Sequence, residues 1–289
     1  MKKHEFSALV SKGVVLLDGA TGSNLMRLGM PRGVCTEAWI TEHPQALLEL
    51  QRAYVAAGSQ IIYAPTFSAN RCSLSRHDLQ HRTAELNRTL VELSRTAADG
   101  KAFVAGDMTT TGIPLEPLGS MKYDELFDIY REQAEALAEA GADLLVIETM
   151  LGIEETSVAL EASQSVCDLP VLCSMTVQAD GGLYFGSSCF DAVQTLQALG
   201  ASAVGINCSL GPEQLESVVR RMKKEAEVPL LVKPNAGMPI ISDEGEAVYP
   251  MTPREFAKHM RRLIDAGANL IGGCCGTTPD FIAALRFLR

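Results

Sequence analysis

The sequence predicts one domain, residues 1–289, folded as a closed (β/α)8 TIM barrel of the α/β class. Eight short apolar runs recur along the chain, each continuous in the way of strands covered on both faces. Amphipathic, helix-length segments separate them. A Gly flanked by small or apolar residues precedes every second run, and glycine there suits the left-handed residue that ends a helix. Alternating β and α units imply a parallel sheet, and eight of them imply closure; an open doubly wound sheet is the alternative.

In order, the runs are 14–17, ending at Asp18; 61–64, ending at Pro65-Thr66-Phe67; 102–105, ending at Gly106-Asp107; and 144–147, ending at Glu148-Thr149. Next come 171–175, ending near Thr176; 203–206, ending at Asn207-Cys208-Ser209; 230–232, ending at Lys233-Pro234-Asn235; and 270–271, ending in Gly272-Gly273-Cys274-Cys275-Gly276. Helices are expected over 123–140, where Leu126, Ile129, Tyr130, Ala134 and Leu137 make an apolar stripe, and over 191–199, 212–222 and 253–266. The repeat reads Ala57-Gly58-Ser59, Ala140-Gly141-Ala142, Leu199-Gly200-Ala201 and Ala266-Gly267-Ala268. Segments 32–37 and 179–188 are expected to be loops on the active face.

Composition narrows the functions. A hydrophobic fraction of 47% supports a large core. A formal net charge of -10 argues against a nucleic-acid binder, which needs clustered Lys and Arg. No apolar stretch has the length of a membrane span. Lys2 and Lys3 imitate the start of a secretion signal, but Ser11 and Lys12 interrupt the apolar stretch that would have to follow. Eight cysteines without such a signal read as reduced thiols in the cytoplasm, most of them small buried hydrophobes.

Barrel active sites lie at the C-terminal ends of the strands. The chemically capable residues collect there: Asp18, Thr66, Asp107, Glu148, Asn207, Cys208, Asn235, Cys274 and Cys275. Cys208 follows the sixth run and Cys274 and Cys275 follow the eighth, so three thiols can meet on one face. Three protein ligands with one open position is the pattern of catalytic zinc. Three buried cysteines, or a vicinal disulfide, are the alternatives. A thiol redox enzyme lacks its Cys-x-x-Cys spacing here. The five histidines fall outside the strand ends and are expected at the surface or in caps.

Asp18-Gly19-Ala20-Thr21-Gly22, Asn207-Cys208-Ser209, Pro234-Asn235-Ala236-Gly237 and Gly272 to Pro279 together resemble the homocysteine S-methyltransferase family, over essentially the whole chain. Within it they look closest to the N-terminal homocysteine-binding module of cobalamin-dependent methionine synthases. The resemblance implies a zinc-bearing barrel in which Cys208, Cys274 and Cys275 hold Zn2+ and serve catalysis. It implies that homocysteine takes the open position, and that its thiolate attacks a donor methyl group to form methionine. A free thiol is mostly protonated at neutral pH, whereas a coordinating thiol is deprotonated outright, so a metal supplies the nucleophile.

The rest of the substrate needs partners. Glu148 is the candidate for the ammonium group. Backbone amides around Gly19, Ala20 and Thr21 are candidates for the carboxylate. Asp18 either orients that loop or receives the ammonium; a plain turn or N-cap role is its alternative. Asn207 is placed with the substrate-binding set. The Asn235 amide oxygen is a candidate for the fourth zinc position when substrate is absent, against a plain turn role after Pro234. The loop 107–112 departs from the Gly-Pro that many family members carry.

The donor is expected to be methylcobalamin, presented by cobalamin-binding and folate-binding modules or subunits that are partners of this chain. S-methylmethionine and betaine are the alternatives within the family. A cationic donor favours an aromatic cage. Trp39, the single tryptophan, with Tyr63 or Phe67 could line the mouth, yet no cage is evident. A module that binds zinc and homocysteine without turnover is the alternative outside enzymology.

Overall fold

The structure, a computed structural model, describes residues 1–208, 210–242 and 247–288. Ser209, in the turn expected after the sixth run, lies outside the described residues. The strands are β1 (Val15–Leu16), β2 (Ile61–Tyr63), β3 (Phe103–Met108), β4 (Leu144–Met150), β5 (Val171–Met175), β6 (Ala203–Asn207) and β7 (Leu230–Lys233). A hairpin follows, β8 (Ile240–Ile241) against β9 (Ala247–Val248), and then β10 (Ala268–Ile271). Eight strands form one parallel sheet in the order β1-β10-β7-β6-β5-β4-β3-β2. Each crossover carries at least one helix. No described helix is long and apolar enough to cross a membrane.

The sheet's two ends meet at a seam between β1 and β2. No ladder joins them; side chains do much of the work. Gln60 N–H donates to Leu16 O (2.7 Å), while Leu16 N–H donates to Gln60 Oε1 (3.2 Å). Ser59 Oγ donates to Leu17 O (3.1 Å), and Tyr63 N–H donates to Asp18 Oδ2 (2.7 Å). The barrel is thereby closed, as eight β/α units require.

Two apolar clusters hold it. One fills the barrel interior with Leu17, Ile61, Ala105, Val146, Leu172, Leu231 and Leu270, packed with Phe6 from the helix Lys3–Val10. The other fills the layer between strands and helices. The four repeat glycines end their helices as expected: Gly58, Gly141, Gly200 and Gly267 have φ of 113°, 86°, 89° and 122°. A residue with a Cβ would be strained at each.

The elements differ from expectation in several places. β3 runs on to Met108 because Asp107 and Met108 keep pairing with Val146 and Ile147, and β4 runs on to Met150, which pairs with Met175, although the sequence turns polar. The segment 212–222 divides into a 3-10 turn, Pro212–Gln214, and the helix Glu216–Glu225. In the segment 32–37, Thr36 already begins the helix Thr36–Glu42. The β8–β9 hairpin was not expected from the sequence: its strands are two residues each and solvent-exposed, with no buried face to pattern them.

Candidate active site

The strand period carries the apolar interior into a polar layer. Stepping two residues along each strand leads from Ile61 to Tyr63, from Ala105 to Asp107, from Val146 to Glu148 and from Leu231 to Lys233. All four side chains are buried, and all four line a cavity of about 1010 Å³ at the C-terminal end of the barrel. Asp18, Gly19, Ala20, Thr21, Cys274 and Cys275 line the same cavity.

The three cysteines predicted to meet do meet. Their sulfurs all lie within 4.8 Å of one another, with Cys208 Sγ 3.9 Å from Cys275 Sγ. Tetrahedral zinc with Zn–S bonds of about 2.3 Å needs sulfurs roughly 3.8 Å apart, so the donor set and its spacing fit that ion. Hydrogen bonds from Cys208 and Cys274 pull the Cys275 thiol far down, to about 3, while the same contacts push Cys274 up. The cluster therefore already favours a thiolate. None of the eight cysteines is in a disulfide; Cys35, Cys173 and Cys189 are buried, as small hydrophobes should be.

Backbone bonds fix the cluster. Cys208 adopts a left-handed φ of 61°, held by its N–H donating to Lys233 O (3.0 Å). Cys274 N–H donates to Pro234 O (2.8 Å), and Ala236 N–H donates to Cys275 O (3.0 Å). Gly276, at φ 81°, has the Tyr249 ring where a Cβ would stand. The Tyr249 hydroxyl is within hydrogen-bonding reach of Cys275; burial, then that sulfur's charge, pushes the phenol up.

The substrate-side candidates divide. Asp18 is fully engaged: Lys233 Nζ donates to its Oδ1 (2.9 Å) and the Tyr63 amide to its Oδ2. Both of its oxygens therefore hold partners across the β1–β2 seam, next to the loop that follows β1. Ala20 N–H donates to Thr277 Oγ1 (3.1 Å), which removes it from the carboxylate-binding set. Gly19 is obligatory, since a Cβ there would lie 2.6 Å from the Tyr54 hydroxyl. Asn207 does not line the cavity. Its Oδ1 accepts from Thr149 N–H and Ser174 Oγ (both 2.8 Å), and its Nδ2 donates to Thr149 Oγ1 (2.7 Å), tying together the ends of β4, β5 and β6. Asn235 is also behind the lining, yet its Oδ1 is buried with no donor. Glu148 Oε2 and Asp107 Oδ1 are orphaned in the same way, as is the Tyr63 hydroxyl.

Burial pushes the carboxyl groups of Asp107 and Glu148 up, and the charge of Glu148 pushes Asp107 further in the same direction. Desolvation opposes the Lys233 charge, but Asp18, Tyr63 and Glu148 outweigh it and hold its pKa well above the ordinary value. Lys233 is the residue that sequence reasoning missed. The signal was there: a lysine closing an apolar strand must be paired if buried. Trp39 does not reach the cavity; it stacks on His43 with ring centroids 4.3 Å apart. Tyr63 and Phe67 do line it; His77 stands at its mouth, exposed at the end of the turn Ser75–His77 as a surface histidine should be. The loop 179–188 contributes nothing to the lining.

A profile of the homocysteine S-methyltransferase family matches residues 15–288. Methionine synthase of Mycobacterium leprae is 32% identical over 291 residues, covering 94% of this chain and 24% of that protein. The Mycobacterium tuberculosis methionine synthase is 31% identical over 292 residues, covering 95% and 24%. The chain thus spans about a quarter of the length of these curated relatives. The metallated form of the homocysteine methyltransferase MmuM from Escherichia coli superposes with a TM-score of 0.83 at 26% identity, over 98% of this chain and 99% of that one. With the barrel, the cysteine cluster and a profile match running from β1 to the last helix, the chain belongs to the homocysteine S-methyltransferase family.

Proposed function

We propose that residues 1–289 form one zinc-dependent domain that methylates homocysteine to methionine. The convergence of Cys208, Cys274 and Cys275 beside a buried acidic cavity carries this reading. Those three residues would hold the metal, and zinc bound there supplies the charge that keeps a fourth, substrate thiol deprotonated at neutral pH. Glu148 receives the substrate ammonium on its orphaned oxygen. The Gly19 and Thr21 amides are left to receive the substrate carboxylate. The sulfur of homocysteine forms a bond to the donor's methyl carbon, and the electron pair of the broken bond leaves with the donor. No protein group needs to move a proton in that step. Asn235, with its own orphaned oxygen, stands by the cluster as the ligand of the substrate-free state.

For the donor we favour methylcobalamin delivered by a partner module or subunit, with a folate-binding partner behind it. Two observations favour it over S-methylmethionine or betaine. Trp39 is turned away, so the mouth has no indole for a cationic methyl group. The cavity's lining instead exposes Met26, Val34 and Ile241, with Ile240 and Val248 exposed beside Ile241 on the β8–β9 hairpin, an apolar edge suited to a large flat partner. Three reduced thiols at one point fit a cytoplasmic setting.

Zinc content and methionine formation, measured on one preparation, test the reading. Purified protein receives homocysteine with methylcobalamin, S-methylmethionine or betaine, beside Cys208→Ala and Cys275→Ala. We expect about one zinc per chain and turnover from methylcobalamin, both lost in the variants. Turnover from a small cationic donor alone would make this a self-sufficient methyltransferase. Zinc and homocysteine binding with no turnover from any donor would make it a delivery module.

A further inference from the structure

Tyr249 stands beside the cysteine cluster, and the proposed chemistry has given it nothing to do. It follows β9, is half-buried, and lines the cavity together with Cys274 and Cys275. Its ring lies against the cysteine turn, where a Cβ on Gly276 would fall on it. Backbone bonds dock the segment there. Met251 N–H donates to Ala236 O (3.3 Å), and Ala236 N–H donates in turn to Cys275 O (3.0 Å). This docking brings the Tyr249 hydroxyl within hydrogen-bonding reach of the Cys275 sulfur, with Cys208 and Cys274 close by. A phenylalanine ring would fill the same space, so the hydroxyl itself calls for a reason.

Charge supplies the reason. Three thiolates around a divalent ion leave one negative charge in excess, and a substrate thiolate adds another. Buried charge is costly unless donors meet it, and a hydrogen bond to an ionised acceptor is stronger than a neutral one. A phenol, with an ordinary pKa of about 10, keeps its proton at neutral pH and can donate it. We propose that Tyr249 is a positioning residue of the cysteine cluster, whose hydroxyl donates to the Cys275 thiolate and so lets the cluster accept the charge of a fourth, substrate thiolate. It acts through Cys275 and touches no reacting atom. The bond draws electron density from Cys275, which then gives less to the metal, and the substrate sulfur is held the more firmly as an anion. This rests on the homocysteine reading above and deepens it: the cluster favours an anionic sulfur over a neutral thioether, and therefore substrate over product.

Tyr249→Phe keeps the ring and removes only the donor. Calorimetric titration of the zinc-loaded protein with L-homocysteine and with L-methionine, whose sulfur is neutral, reads the effect. We expect homocysteine to bind about tenfold more weakly in the variant, the size of one hydrogen bond to a charged group. Methionine binding and zinc content should hold. In the cobalt-substituted protein without substrate, the sulfur-to-metal charge-transfer band should move to longer wavelength, because a thiolate that loses its donor holds its electrons less tightly. An unmoved band, an unchanged homocysteine affinity, or an equal loss for both ligands overturns the proposal while leaving the methyltransferase reading intact. If wild type retains no zinc and binds no homocysteine, that reading falls and the role of Tyr249 with it.

Discussion

Lys233 Nζ lies 2.9 Å from Asp18 Oδ1, with both side chains at most 4% exposed. The other Asp18 oxygen takes the Tyr63 amide across the β1–β2 seam. A lysine on β7 therefore secures the closure of the barrel from inside it. Removing one member of a buried ion pair strands the other and costs about 3–5 kcal/mol. Lys233→Met should lose that much in guanidinium unfolding. Adding Asp18→Asn, which still accepts the Tyr63 amide, should recover part of it. Additive losses in the double variant would show that the pair is not coupled.

Asp107 should make stability depend on pH. Burial, then Glu148, raises its folded pKa well above the ordinary value. The folded state thus holds its proton at a pH where the unfolded chain has released it. Stability on this account is greatest at low pH and declines as pH rises from about 4, the unfolded carboxylate value, through the folded pKa. Asp107→Asn abolishes that slope and should stabilise the metal-free protein by about 1–3 kcal/mol at pH 8, with the gap closing toward pH 4. A gap that widens on acidification would contradict the sign.

Much of this was legible in the sequence. Short apolar runs and their helix-ending glycines carried the barrel, because both are local: a strand covered on two faces has to be apolar, and a left-handed residue favours glycine. The cysteine cluster followed from topology alone, since β6 and β10 end on one face. What stayed hidden depends on partners distant in sequence. Asn207 reads as a ligand at a strand end, but its amide is spent on Thr149 and Ser174. Ala20 reads as a free amide, but Thr277, 257 residues away, has claimed it. Lys233 reads only as the residue that ends the seventh run until its carboxylate, 215 residues away, is seen.

Asn235 should be detectable at the metal. Its Oδ1 is buried without a donor, a state that costs about 1–3 kcal/mol unless something occupies it. Asn235→Ala should change the zinc K-edge absorption spectrum of the substrate-free protein and leave the homocysteine-saturated spectrum as it was. Identical spectra in the substrate-free state would remove Asn235 from the ligand set.

Gly276 should not tolerate a side chain. At φ 81° a non-glycine residue is strained, and the new Cβ would meet the Tyr249 ring next to Cys275. Gly276→Ala should lower unfolding stability by about 1–2 kcal/mol and weaken zinc retention under chelator challenge. A variant that keeps wild-type zinc retention would show that the Tyr249 side moves aside without disturbing the sulfurs.

The seam between β1 and β2 gives the barrel a built-in gauge. The Tyr63 amide is sealed only by Asp18, whose other oxygen faces the charge balance of the cavity through Lys233. Hydrogen–deuterium exchange at that one amide therefore reports the state of the floor on which a ligand would rest. The closure of the barrel and the charge balance of its cavity are thus read at a single backbone proton.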